Sequence, residues 1–183
     1  MNAERYEQLG TATLVTATGI VAASILADGQ LAKALNGVGG LTWFASSALL
    51  VMAGRQSPKH RWQWAATIGL TAAVAFVIKP TDLTLATVGF GATGLAIGMA
   101  AKADPILWAK LIPGLYLPMH IGTAILKAVG RSALGMEASI RSEPPPTAAV
   151  VPFVMVVAAV AGGFLASALR ERGVGLGKRR PAS

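Results

Sequence analysis

Cysteine is absent from the chain, which excludes disulfide frameworks, thiolate metal sites and cysteine nucleophiles and leaves the redox compartment unread. Charge is scarce as well. Only 13% of the residues are Asp, Glu, Lys or Arg, against about a quarter in a soluble domain. They cluster in short stretches that cannot clothe a water-facing surface. The third deficit is of carboxylates inside apolar runs: the 8 acids, Glu4, Glu7, Asp28, Asp82, Asp104, Glu137, Glu143 and Glu171, all lie at or beyond the ends of those runs. Proton- and sodium-coupled transporters keep a carboxylate at membrane depth, so secondary active transport is disfavoured. No paired carboxylates share a helix face, no His/Asp/Glu group has metal-ligand spacing, and no serine sits in a nucleophile-elbow context. The expectation is a protein that is not an enzyme. Only a meeting in space of Ser46 or Ser47 with His120 would revive intramembrane hydrolysis.

What is present is hydrophobic. Apolar residues make up 54% of the 183, and the mean hydropathy is +0.58. Six apolar stretches, at about 9–27, 38–54, 62–78, 83–101, 106–129 and 148–169, have the length of a membrane-crossing helix, which needs roughly 20 residues. They are continuous and rich in Ala, Leu and Gly, whereas β-barrel strands alternate over about ten residues. The expected fold is an all-α integral membrane protein: a compact bundle of six transmembrane helices, a single domain over 9–169, with five spans plus an interfacial or kinked fifth helix as the alternative. Residues 1–8 have neither the basic character nor the cleavage site of a secretory signal, so the first span is expected to act as the retained insertion signal.

Net charge is +8. The basic residues fall between apolar runs without interleaved aromatics, a pattern of topology determinants beside anionic headgroups rather than of nucleic-acid binding. With a cytoplasmic N-terminus, Arg5, Arg55, Lys59, Arg61, Lys102, Lys110, Arg170, Arg172, Lys178, Arg179 and Arg180 fall inside, leaving only Lys33, Lys79, Lys127, Arg131 and Arg141 outside. A fifth segment lying flat would put the basic tail, 170–183, outside and nearly erase that bias. The expected location is therefore a bacterial-type inner or plasma membrane, both termini cytoplasmic, with the lipid bilayer and other membrane subunits or further copies of the chain as partners.

Local chemistry marks the boundaries. Asp28-Gly29 closes the first run, Ser57-Pro58 the second and Lys79-Pro80-Thr81-Asp82 the third, while Asp104-Pro105 opens the fifth as N-cap and first-turn proline. Trp43, Trp62, Trp64 and Trp108 lie near run ends, the position of aromatic anchors. The Glu143–Pro146 stretch reads as a stiff extended connector. Val51–Pro58 echoes Gly98–Pro105 in sequence, which suggests duplicated helical hairpins or two helix ends obeying the same rules.

Gly89-Phe-Gly-Ala-Thr-Gly94 has dinucleotide-loop spacing, but it lies inside a helix-length apolar run with no strand before it. Close helix contact is the better reading. Gly94 and Gly98, and Ala158, Gly162 and Ala166, are spaced as small-xxx-small stripes, either a seam of the bundle or a docking surface for another subunit. The fifth run carries the chemistry. Tyr116, His120, Thr123 and Lys127 fall on one helical face, opposite Leu115, Ile125, Leu126 and Val129. Pro113 and Pro118 would kink the segment and free backbone carbonyls that need a protein-lined setting.

That stripe reads as a buried polar seam, a pathway lining, or the polar side of an interfacial helix. His120 would be a metal ligand only if a haem or pigment were bound, and nothing in the sequence requires a cofactor. The leading expectation is a non-catalytic multi-pass membrane subunit or scaffold that packs on partners through its Gly/Ala stripes. The second is a small channel or facilitator lined by the polar face of the fifth span.

Overall fold

The structure, a computed structural model, describes residues 2–56, 61–78, 82–101, 104–133 and 146–173. Those residues form α1 (Ala3–Leu26), α2 (Gly29–Gln56), α3 (Arg61–Val77), α4 (Leu83–Ala100), α5 (Pro105–Ala133) and α6 (Val151–Glu171), with a 3-10 turn at Pro146–Val150 ahead of α6. No strand occurs among them.

Caps set the ends. The Asn2 side chain accepts the Arg5 N–H at 3.0 Å and Asp82 accepts the Leu85 N–H at 2.9 Å, each satisfying a donor that a helix start leaves open. Gly29, at φ 59°, sits in the left-handed region that glycine enters without strain, and the chain reverses there so that α2 folds back on α1. Helix α2 begins well before the expected 38, because Gln30–Gly37 mixes Ala and Leu with polar residues that sustain a helix on an exposed surface. Threonines sit within these apolar helices by bonding their own backbone. Thr11, Thr13, Thr16, Thr18, Thr42, Thr71 and Thr87 each donate to the carbonyl four residues earlier, so their hydroxyls need no partner helix.

Two close helix pairs and a central helix make the bundle. α1 and α2 pack antiparallel, with Leu50 against Gly10, Val21 against Gly39 and the Ser46 hydroxyl donating to Gly10 O at 2.9 Å. α4 and α6 approach closer still. A methyl at Gly94 would collide with the Ala159 carbonyl, one at Gly162 with Gly91 O, and one at Gly98 with Ala166 Cβ at 2.7 Å. α5 lies between, touching α2, α3, α4 and α6. Its first turns, Leu107, Trp108, Ala109, Leu111 and Ile112, are buried on every side. The fifth helix is thus the centre of the bundle, at least through its first half.

Helix direction alternates. Glu7 near the start of α1 pairs with Lys110 near the start of α5. Arg170 at the end of α6 donates to Ala101 O, the carbonyl that caps α4, at 2.5 Å. Gly54 near the end of α2 abuts Trp64 near the start of α3. Duplicated hairpins are not seen, since α3 meets α4 only slightly where α1 and α2 pair along their length. α4 takes α6 as its partner because the glycine faces match there, and α3 takes α5.

The surface is inverted relative to that of a water-soluble protein. Large apolar side chains stand exposed on all six helices, among them Leu41 at 74%, Leu126 at 68% and Val157 at 66%, while Thr18, Ser46, Ser47, Gln63, Thr67, Thr71 and Thr93 are buried. Soluble monomers seldom expose apolar patches beyond a few hundred Å². Four helical segments, Ala3–Leu26, Gly29–Gln56, Leu83–Ala100 and Ala148–Glu171, are long and apolar enough to cross a membrane, and a shorter apolar helix spans Trp62–Val77. α5, at 29 residues, is not among those four.

The tryptophans correct the aromatic-belt expectation. Trp43 and Trp108 are core residues at 3% and 0% exposure. Trp64 packs edge-on against Trp108 with ring centroids 5.1 Å apart, and only Trp62 is exposed as an anchor needs.

Because the obstacle at Gly94 is α6 backbone, Gly94→Val should destabilise the bundle by about 3 kcal/mol, the upper end of overpacking effects. Gly19→Ala, where a methyl meets open space, should change it by less than about 0.5 kcal/mol. Thermal unfolding in detergent measures both, and equal midpoints would remove the α4–α6 seam as a determinant of stability.

Candidate functional site

The polar interior is organised by breaks in backbone hydrogen bonding. Pro118 lies inside α5 and has no N–H to offer the carbonyl four residues earlier, that of Gly114. Gly114 O instead accepts the Ser47 hydroxyl at 2.5 Å and the Trp43 indole N–H at 3.2 Å, and the same indole reaches Pro113 O at 3.0 Å. All four residues are buried. The proline break in α5 is therefore closed by two side chains of α2, which ties the central helix to the α1–α2 pair.

A second break lies at the end of α3. With 17 residues, α3 is about 25 Å long, and its last carbonyls open inside the bundle. Tyr116 donates its hydroxyl to Ile78 O at 3.2 Å, and His120 Nδ1 stands 3.3 Å from Ala75 O. The two rings are stacked, with centroids 5.4 Å apart and planes at 18°, and Phe90 of α4 meets Tyr116 edge-on at 5.1 Å. Of the stripe, then, Tyr116 and His120 come together at the α3 terminus. The side chains of Thr123 and Lys127 lie outside the described residues, as does that of Arg131.

The polar face continues on a helix that sequence reasoning passed over. Gln63, Thr67 and Thr71, at i, i+4 and i+8, form one buried edge of α3, in the turns where Trp64 meets Trp108. Among the described residues, Thr67 Oγ1 and Trp108 Nε1 have no hydrogen-bond partner although fully buried. That buried edge lies on the helix whose later carbonyls meet Tyr116 and His120, and whose main neighbour is α5. The four-residue spacing was the signal, masked by Ala and aromatic neighbours.

A third polar feature lies at the rim where α1 and α5 begin. The Glu7–Lys110 ion pair, at 2.7 Å with side chains 27% and 18% exposed, stands in an open groove of about 540 Å³ bounded by Glu4, Glu7, Gln8, Thr11, Ala12 and Lys110. Glu4 also accepts from Gln8 Nε2 at 3.3 Å. Nothing in the local sequence signals a pair 103 residues apart.

The helix-packing residues meet one another. Gly94, Gly98, Gly162 and Ala166 are buried between α4 and α6, with Ala158 half-buried beside Gly91. The stripes are therefore the internal seam and are closed to an outside partner. The Gly89–Gly94 motif belongs to the same helix, with Gly91 and Gly94 turned to α6. The Ser–His pair is not formed by the placements seen. Ser46 and Ser47 donate to carbonyls of α1, α2 and α5, and His120 stands about 9 Å along α5 from Gly114. No group of three or more His, Cys, Asp or Glu among the described residues has metal-binding placement.

No family model matches the chain, and no curated protein or solved structure matches it significantly. The class comes from the molecule alone. It is an all-helical protein with four helices fit by length and apolarity to cross a membrane.

If the α2 side chains serve the carbonyl that Pro118 releases, Ser47→Ala should cost about 1–2 kcal/mol, since a buried acceptor loses one of its donors. In a Pro118→Ala background, where residue 118 regains its N–H, the cost should fall to near zero. A double-mutant cycle on thermal stability measures the coupling, and additive effects would sever the link between serine and proline.

Proposed function

We propose that the protein is an integral membrane protein of six spans with both termini on the cytoplasmic side, serving as a non-catalytic multi-pass subunit or scaffold. The observation that carries the membrane part is the inverted surface: apolar side chains exposed on every helix and polar ones turned to the interior. The alternation of helix direction supports six spans. It gathers Arg55, Arg61, Lys110 and Arg170 at one end of the bundle, leaving Lys33 near the other, in keeping with the positive-inside bias. Central burial of the first turns of α5 speaks against an interfacial placement for that half.

The subunit reading rests on what remains uncovered. With the Gly/Ala stripes consumed by the α4–α6 seam, the contact surface for a partner subunit or a second copy moves to the later half of α5. There Ile121, Ile125, Leu126 and Val129 are exposed beyond the proline break. Because the chain has no cysteine, single-cysteine variants report topology without background. Residues 5, 56 and 172 should label only from the cytoplasmic face and residue 30 only from the opposite one. Labelling of residue 172 from the outer face would overturn the six-span topology. For the subunit reading, a partner should co-purify from native membranes in mild detergent and be lost on Ile125→Arg.

A second reading, a small-solute channel or facilitator, is favoured by one observation, the unpartnered Thr67 hydroxyl and Trp108 N–H in the α3–α5 polar seam. Groups left unsatisfied in a dry interior cost about 1–3 kcal/mol each, and a transient polar occupant would offset that. On this reading, solute or ion flux into proteoliposomes should fall on Thr67→Val and His120→Ala. An absence of flux through the wild-type protein sinks it.

A further inference from the structure

Among the described residues, the groove at the α1–α5 rim is a polar concavity whose chemistry neither reading uses. It carries two carboxylates, Glu4 and Glu7, and one ammonium, Lys110. The pair between Glu7 and Lys110 is partly exposed on both sides, so each member keeps hydrogen-bonding capacity toward the opening. One carboxylate is in excess over the cation. Such a site complements a ligand that brings its own ammonium together with an anionic group, the ammonium against the carboxylates and the anion against Lys110.

Depth indicates where that ligand resides. The polar start of α1 ends at Gln8 and the apolar run begins at Leu9, itself exposed. In a six-span bundle, the reading on which this inference rests, the groove stands at headgroup level. Along α1 below it, Ala12 and Val15 are exposed and Gly19 faces open space, at i, i+3 and i+7, so a shallow apolar track leads down from the polar opening. A headgroup above and an acyl chain below fit the two parts together. The volume, about 540 Å³, lies within the range of small-ligand sites, roughly 300–1,000 Å³.

We propose that this groove binds a phosphoethanolamine-headed lipid of the cytoplasmic leaflet, with its ammonium hydrogen-bonded to Glu4 and Glu7 and its phosphate to Lys110. The primary ammonium is the recognised group: a trimethylated choline head has the charge but no N–H to donate, and a glycerol head has neither.

The test is lipid retention by the full-length protein, purified in mild detergent, offered equimolar phosphatidylethanolamine, phosphatidylcholine and phosphatidylglycerol of one acyl composition, and read by native mass spectrometry. Phosphatidylethanolamine should be retained roughly fivefold over phosphatidylcholine, as for one partly exposed charge-assisted contact. Glu7→Gln should abolish the preference. Because that change also breaks the ion pair with Lys110, Glu4→Gln provides a variant outside the helix contacts and should reduce the preference at least twofold. Soluble phosphoethanolamine at the same concentration should not displace the lipid, since it lacks the chain that follows the track. Equal retention of the ethanolamine and choline lipids, a preference for phosphatidylglycerol, a preference untouched by both glutamate variants, or displacement by the soluble headgroup would each overturn the proposal. The cysteine-labelling pattern is read independently, so a failure of the groove and a failure of the six-span topology are told apart.

Discussion

The carbonyl of Gly114 is the point on which the bundle turns. In a setting without water, a backbone oxygen that loses its helical partner has to find a donor in the protein, and Pro118 takes the partner of Gly114 away. The donors are Ser47 and Trp43, and supplying them fixes the rotation and height of α2 against α5. Leu50, one turn along from Ser46 and Ser47, then meets both Gly10 of α1 and Gly114 of α5, so a single register serves three helices. The same constraint recurs at the end of α3, where Tyr116 and His120 stand at the carbonyls of Ile78 and Ala75. Polar side chains on α5 thus have a structural employment before any functional one.

Close approach of backbone supplies the rest. Helices gain dispersion contacts when their backbones come close, and that approach needs small residues. The α4–α6 seam meets that need with Gly91, Gly94, Gly98, Gly162 and Gly163, the last of them also receiving Ala109 of α5. Arg170 closes the seam at its end by donating to Ala101 O, a cation at the carbonyl terminus of a helix. The pairing follows the distribution of glycine more than the order of the chain.

The extents of the helices were largely legible in the sequence, because apolar runs and cap residues such as Asp82 are local signals. The start of α2 was not, since Gln30–Gly37 is too polar for a hydropathy count yet helical by propensity. The face of α5 bearing Tyr116 and His120 could also be read from its spacing. Periodicity tells which side of a helix is polar and is silent on what that side meets, so the α3 terminus was invisible. Likewise Gly94 and Gly162 announced close packing without naming each other as partners, and Trp43 and Trp108 looked like anchors because position along a run does not reveal the direction in which a ring points. The Glu7–Lys110 pair links the two ends of α1 and α5 that chain order keeps far apart.

The pairing of α3 with α5 and of α4 with α6 also sets an order of events during synthesis. Each of these helices leaves the ribosome before the one that completes it. Until α5 follows, α3 carries Gln63, Thr67 and Thr71 on an unclaimed edge, and until α6 arrives the glycine face of α4 has no opposite number. A nascent chain halted after its fourth helix would hold one finished hairpin and two helices unable to finish each other. On the membrane reading proposed above, α3 and α4 would have to be held during insertion until α6 comes through.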